Sequence, residues 1–236
     1  MNKIIAFSLF LSGLTIQIHG QVIRTLSGQN MEDLTSRNQQ FLFQDFTDGS
    51  VLYKNGSSAR GKMNYNLVVG ELRFIDPANG QQMALANPGD VVLVAISGRH
   101  FIPLSKSGEF LEIIENGTVA LAVRRKTIAQ HYGKEGAYGT INTASSIETI
   151  NTVSDGSTGK TENISTVDYQ TLSTTETYYL VVNGKPQLIS NKKSLLNAYQ
   201  KGIRPLIEQY MTDANVSVKD EQTLIMLTKY GNTLLH

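Results

Sequence analysis

The stretch Val91-Val-Leu-Val-Ala-Ile96 decides the fold, because it is continuously apolar and rich in β-branched residues. Such a run is typical of a strand that is buried on both faces of a sheet. Upstream, Gly70-Glu-Leu-Arg-Phe-Ile75 alternates apolar and charged side chains, as expected of a half-buried strand. The turn residues Asn87-Pro-Gly-Asp90 lie between the two. Because strands joined by short turns pair antiparallel, this region predicts an antiparallel meander.

The same pattern extends over residues 41–125. Aromatic residues alternate with polar ones from residue 41 to residue 46 and predict the first strand of the meander. Strand character returns at residues 168–172 and 175–182. The sequence therefore predicts an α+β protein whose β-rich part, residues 21–186, is an antiparallel meander, a sandwich or a partly open barrel.

Residues 133–166 interrupt this domain. They are rich in Gly, Ser, Thr and Asn and contain only scattered apolar residues. Such a composition buries too little apolar surface to offset the entropy of ordering the chain. We therefore predict a long mobile loop at about 133–166.

The last part of the chain, residues 187–236, changes to helical spacing and predicts a small helical subdomain. Ser190 or Asn191 can cap its first helix, and Pro205 suits the first turn of a second helix. Ser217, with Asp220 three residues later, predicts a capping box for a third helix.

Residues 1–20 have the order of a secretory signal peptide. A basic start, Met1-Asn-Lys3, precedes an apolar run over residues 4–14, and the segment ends in the small residue Gly20. A membrane anchor is the alternative, but the apolar run has about half of the ~20 residues that a spanning helix needs. We therefore expect a periplasmic or secreted protein without an integral membrane span after cleavage.

Composition narrows the possible functions. The chain has 21 Lys+Arg and 20 Asp+Glu residues, so it has no electrostatic reason to hold nucleic acid. It contains no cysteine, which excludes thiol nucleophiles and thiolate metal sites. No histidine has a ligand partner at metal-binding spacing, and no Gly-x-Ser-x-Gly nucleophile motif occurs. The sequence therefore predicts neither a metal nor a cofactor.

Short motifs resemble a known group of proteins. They are Met63-Asn-Tyr-Asn66, Gly70-Glu-Leu-Arg-Phe-Ile75, Gly136-Ala-Tyr-Gly139, Lys193-Ser-Leu-Leu196 and Ile207-Glu-Gln-Tyr210. Together they resemble a group of uncharacterised exported proteins from Bacteroidetes bacteria. The resemblance implies an exported protein with a β-rich core and a helical tail, and it assigns no catalytic residue.

Four residues are candidates for a site. Tyr132 and Tyr138 lie in a Gly-rich stretch where core packing explains an aromatic less easily than it explains Tyr179 or Tyr210, and His131 precedes them. A binding role is one interpretation of these tyrosines, and packing against the edge of the sheet is the other. Glu71 is the best-placed carboxylate for acid–base chemistry, although pairing with Arg73 or a neighbouring lysine is the simpler interpretation. Glu109, by alternation, is expected to be solvated.

These observations favour a non-enzymatic recognition or structural module of the cell envelope, with an envelope protein or polysaccharide as partner. The alternative is a hydrolase of envelope or extracellular polymers that acts through Glu71 or His131. A buried Glu71 beside another carboxylate in a cleft would favour the hydrolase.

Overall fold

The computed structural model of the chain describes residues 21–26, 31–104, 108–135, 141–142, 152–154, 161–163 and 167–235. The strands, numbered along the chain, are β1 (Gln21–Leu26), β2 (Thr47–Tyr53), β3 (Ser58–Asn66), β4 (Glu71–Ile75), β5 (Gln82–Ala84), β6 (Val91–Ile96), β7 (Arg99–Pro103), β8 (Phe110–Glu115), β9 (Val119–Glu135), β10 (Ile141–Asn142), β11 (Thr152–Ser154), β12 (Thr161–Asn163), β13 (Val167–Val182) and β14 (Lys185–Leu188). The helices are α1 (Met31–Leu34), α2 (Arg37–Gln40), α3 (Lys192–Asn197), α4 (Arg204–Asp213) and α5 (Glu221–Thr233).

Most strands belong to one antiparallel sheet with the order β1-β13-β9-β8-β7-β6-β2-β3-β4-β5, while β10 pairs with β9 and β14 with β13. The sheet is open but strongly curled. Its β4 end returns to the start of β8, where the Phe110 amide donates to the carbonyl of Gly70 at 2.9 Å. An isolated bridge between Glu71 and Glu109 extends this contact, which we call the seam. The predicted α+β class with an open antiparallel meander is confirmed.

The curled part, β2 to β8, encloses one hydrophobic core. Within β6, Val91, Val94 and Ile96 are buried, but Val92 is 44% exposed. The prediction that this strand is buried on both faces is therefore wrong at Val92. A register irregularity between Leu52 and Tyr53 of β2 lies opposite and changes the alternation of β6.

The predicted strand over residues 41–46 is also wrong, because most of this segment consists of bends. The reason is the buried side chain of Asn64. Its Oδ1 accepts from the Phe43 amide at 3.1 Å, and its Nδ2 donates to the Phe43 carbonyl at 2.8 Å. A side-chain amide thus replaces the neighbouring strand that would otherwise satisfy this backbone.

A second core forms where the helices pack on one face of β9 and β13. Two of the predicted helix starts are confirmed: Asn191 caps α3, and Pro205 lies in the first turn of α4. The predicted capping box from Ser217 is wrong. The cap of α5 is Asp220, whose carboxylate accepts from the Thr223 amide at 2.7 Å.

Arg125 of β9 ties the first turn of α5 to the sheet. Its guanidinium forms ion pairs with Glu112 of β8, Glu176 of β13 and Glu221 of α5. Burial lowers the pKa of Arg125, but the three carboxylates outweigh this effect and raise it, Glu112 most of all. Arg99 of β7 is a second partner of Glu112, so the charges form a row across four strands.

Pairing of β9 with β13 continues well beyond residue 125, where the sequence pattern ended the meander. Short strands β10, β11 and β12 lie within the tract 133–166. Its other residues from 136 onward, to which the predicted mobility chiefly applies, lie outside the described residues. None of the helices in the described part of the chain is long and apolar enough to span a membrane.

Candidate functional site

The four predicted site residues do not form one described site. Glu71 opens β4, whereas His131 and Tyr132 lie far along β9, and Tyr138 lies outside the described residues. Among the described contacts, no hydrogen bond or ion pair links Glu71 with Tyr132. The structure therefore offers two separate places to consider around these residues.

Tyr132 lies at a β-bulge. The ladder between β9 and β13 pairs His131 with Gln170 and then Gly133 with Tyr169, so Tyr132 is the extra residue. Its side chain is 43% exposed. A bulge redirects a side chain away from regular alternation, which explains an exposed aromatic at this point.

Glu71 lies at the seam, directly opposite Glu109. Their side chains are 30% and 22% exposed. The expectation that Glu109 is solvated is wrong, because its Oε1 accepts from the Lys126 ammonium at 3.0 Å and lies 3.5 Å from the Arg124 guanidinium. Alternation within one strand does not reveal these contacts. Lys126 and Arg124 reach Glu109 because β9 is the hairpin neighbour of β8, whereas β4 approaches Glu109 only where the sheet curls.

Each carboxylate of this pair has a cationic partner. The Arg73 guanidinium lies 3.3 Å from the Glu71 carboxylate and 3.6 Å from the Glu32 carboxylate. The first of these contacts is the pairing of Glu71 with Arg73 that the sequence predicted. A small cavity of about 200 Å³ adjoins Glu71. The Nε atoms of Arg73 and Arg124 are buried without a hydrogen-bond partner in the described structure. The cluster is thus a set of charges in which each carboxylate of the pair is compensated by a cation at the seam.

Tyr65 supports the same seam from inside the core. Its hydroxyl donates to the carbonyl of Phe110 at 3.1 Å. Burial raises the pKa of this hydroxyl, and the nearby charge of Glu109 raises it further. Tyr65 therefore remains a neutral hydrogen-bond donor over the physiological pH range.

A larger cavity lies where β2 and β3 present small residues to the interior. Gly49 pairs with Gly61, and Val51 pairs with Ala59, so these four residues share the inward face. A Cβ atom built on Gly61 would meet no atom within 4 Å. The sheet therefore curves around a space that larger side chains at residues 59 and 61 would fill.

This cavity, the β2–β5 cavity, has a volume of about 450 Å³. Its apolar and aromatic lining residues are Val51, Tyr53, Ala59, Gly61, Met63, Phe74, Ile75, Pro77, Leu85 and Ala86. Ala59, Pro77 and Ala86 are exposed, so the cavity opens to solvent beside the β4–β5 hairpin.

Three charged residues also border the β2–β5 cavity. Asp48 and Lys62 pair with each other at 3.0 Å, and Arg60 alternates with the inward residues of β3. By that alternation Arg60 and Lys62 direct their side chains to the outer face. The interior surface is therefore mainly apolar.

The sequence-based predictions did not include this cavity. A signal existed in Ala59-Arg-Gly-Lys62, where small and charged residues alternate with a period of two. Such a strand has a polar outer face and an inner face too small to fill a core. What the local pattern lacked was the neighbouring wall formed by Val51 and Phe74, which only register and curvature supply.

No group of three or more His, Asp and Glu side chains in the described part of the chain is placed to hold a metal ion. No protein-family model, curated protein or solved structure matches the chain. The function of this chain is therefore inferred from the geometry of the β2–β5 cavity and of the seam.

Proposed function

We propose that this chain is an exported, non-catalytic binding module that holds an apolar group of an envelope protein in the β2–β5 cavity. The observation that carries the proposal is the mainly apolar, solvent-accessible cavity of about 450 Å³ between β2, β3 and the β4–β5 hairpin. Protein interiors are close-packed, so a cavity of this size lined by apolar side chains favours a ligand. The signal-like pattern of residues 1–20 supports export.

The chemistry of the walls selects the ligand class. Ligand sites commonly span roughly 300–1,000 Å³, so the cavity can take a large apolar side chain or a small apolar molecule. Full burial of one such side chain contributes about 1.5–3 kcal/mol. A polysaccharide is less favoured, because the interior around Met63 and Phe74 offers few polar groups to a sugar.

Hydrolysis is the second candidate, favoured by the position of Glu71 opposite Glu109. Acid–base catalysis needs a carboxyl group that is free to exchange a proton with the substrate. Arg73 contacts Glu71, while Arg124 and Lys126 contact Glu109, so the ion pairs account for both carboxylates. We expect no hydrolysis of envelope polymers by the wild-type protein. Measured hydrolysis that disappears in Glu71→Gln at unchanged melting temperature would establish this second function.

The binding proposal is tested by filling the cavity. Gly61→Leu places a side chain in the open space without a steric clash at Cβ. Ser58→Leu is the matched control, because it adds the same side chain to the outer face of β3 at an exposed residue that does not line the cavity. Toluene and cyclohexanol serve as apolar probes, and thermal unfolding is the readout.

A probe at ten times its Kd stabilises the folded state by about 1.4 kcal/mol, which raises the melting temperature by a few degrees. We expect this increase for the wild type and Ser58→Leu but not for Gly61→Leu, whose own melting temperature should be at least that of the wild type. An equal increase for Gly61→Leu, or no increase for the wild type, would contradict the proposal.

A further inference from the structure

Strand β5 ends the sheet next to the β2–β5 cavity, and its outer edge is open. It pairs with β4 on one side only, and no described residue bonds to the backbone on its other side. The Leu85 amide donates to the carbonyl of Leu72 at 3.0 Å, so the backbone of Leu85, and of every second residue before it, faces β4. Antiparallel pairing then directs the backbone groups of Gln82 and Ala84 away from β4.

Strand β5 has neither the charge nor the proline that commonly protect an edge strand. Residues 77–89 contain no charged side chain, and all three residues of β5 are exposed. Two other edge strands differ, since β1 contains Arg24 and β14 contains Lys185 and Pro186. Charged residues and proline on an edge strand hinder the addition of another strand. The short edge of β5, free of both, can therefore accept a short extended segment.

The cavity adjoins both ends of β5. Ile75 and Pro77 line it before the strand, and Leu85 and Ala86 line it afterwards. Met83 pairs with Phe74, a cavity residue, so one face of the hairpin continues the cavity wall. A strand added beside β5 would present every second side chain to that face.

We propose that the partner is an extended peptide segment that adds to the outer edge of β5 and places one apolar side chain in the β2–β5 cavity. The proposal rests on the proposed function and names the form of its ligand. Only an extended chain satisfies a row of edge amides and carbonyls, and this mode combines backbone pairing for affinity with a side-chain pocket for specificity. A second copy of the chain fits less well, because a three-residue strand buries far less than the ~1,200 Å² of a stable interface.

The test separates the edge from the cavity. Ala84→Pro removes the outward amide without removing a ladder bond to β4, whereas Ala84→Ser keeps the amide and is the control. A phage-displayed library of random linear heptapeptides supplies the probes. Selected peptides are resynthesised and titrated by calorimetry, and toluene binding is followed in parallel by thermal unfolding.

We expect the selected peptides to share one apolar position. They should bind Ala84→Pro and Gly61→Leu at least ten-fold more weakly than they bind the wild type. Ala84→Ser should bind like the wild type, and Ala84→Pro should still bind toluene. If Ala84→Pro melts at a lower temperature than the wild type, Gln82→Pro is used in its place, because it removes the other outward amide of β5.

Selection of no peptide, or peptides indifferent to both proline variants, would overturn the peptide inference while toluene binding left the cavity function standing. Loss of toluene binding in the wild type would instead refute the proposed function itself.

Discussion

Replacing Tyr199 by phenylalanine should stabilise the protein. Tyr199 follows α3 and is 2% exposed in the helical core. Its hydroxyl is buried without a hydrogen-bond partner in the described structure, and the nearby Thr228 hydroxyl donates to the Leu224 carbonyl at 2.8 Å. A buried polar group without a partner costs about 1–3 kcal/mol. Allowing for lost packing of the oxygen, we expect Tyr199→Phe to gain about 1 kcal/mol at pH 8.

The advantage of the variant should grow in alkali. Burial raises the pKa of Tyr199 from 10.0 to about 12. The unfolded state therefore loses this proton first, so the contribution of Tyr199 to stability is complete below pH 10 and is lost as the pH rises toward 12. At pH 11 the wild type should have lost about 1.4 kcal/mol through this group alone. The advantage of Tyr199→Phe should then reach about 2.4 kcal/mol.

The assay is urea unfolding at pH 8 and pH 11, followed by circular dichroism because the chain contains no tryptophan. Tyr132→Phe, at an exposed position, is the control and should change stability by less than about 0.5 kcal/mol at both pH values. A Tyr199→Phe variant that is less stable at pH 8, with a deficit unchanged at pH 11, would show that the hydroxyl is bonded in the folded state and would refute the reasoning.

Three other predictions concern the packing of helix α5 on the sheet, the ion pairs of Arg125 and export. Asn232→Ala should cost about 1–3 kcal/mol in urea unfolding, because its amide bonds both the N–H and the C=O of Val119 at 2.9 Å; an unchanged midpoint would refute this. Arg125→Met should cost about 3–5 kcal/mol by leaving buried Glu112 undercompensated, whereas Arg37→Met, at an exposed pair, should cost under about 1 kcal/mol; equal losses would contradict the difference. Intact-mass measurement on envelope protein should show the loss of about twenty residues, and a full-length cytoplasmic product would contradict export.

The sequence predicted those parts of the fold that depend only on neighbouring residues, such as helix starts and strand β4. The cap Asn191 and the first-turn residue Pro205 mark helix starts, because such signals depend only on neighbouring residues. Strand β4 follows from simple alternation. The strand predicted over residues 41–46 failed because the buried amide of Asn64, distant in sequence, takes the place of a neighbouring strand.

The site was harder to predict, because it depends on register and curvature. Glu71 was identified from its strand, but its neighbour Glu109 appears only when the curled sheet brings β4 to β8. The β2–β5 cavity depends on Val51 of β2 and Phe74 of β4 lying beside Ala59 and Gly61, which no local pattern specifies. Tyr132 was singled out as part of a Gly-rich stretch, but it lies at a bulge in a long strand.

Binding of an apolar group in the β2–β5 cavity is tested most directly by following the resonance of a side chain that lines it. Met63 lines the cavity, whereas Met226 is exposed on α5. In protein labelled with ¹³C at the methionine methyl groups, titration with toluene should shift the Met63 resonance saturably and leave Met226 unchanged. In Gly61→Leu the Met63 resonance should no longer respond. A Met63 resonance that does not respond in the wild type, or that responds equally in Gly61→Leu, would contradict a binding function for this cavity.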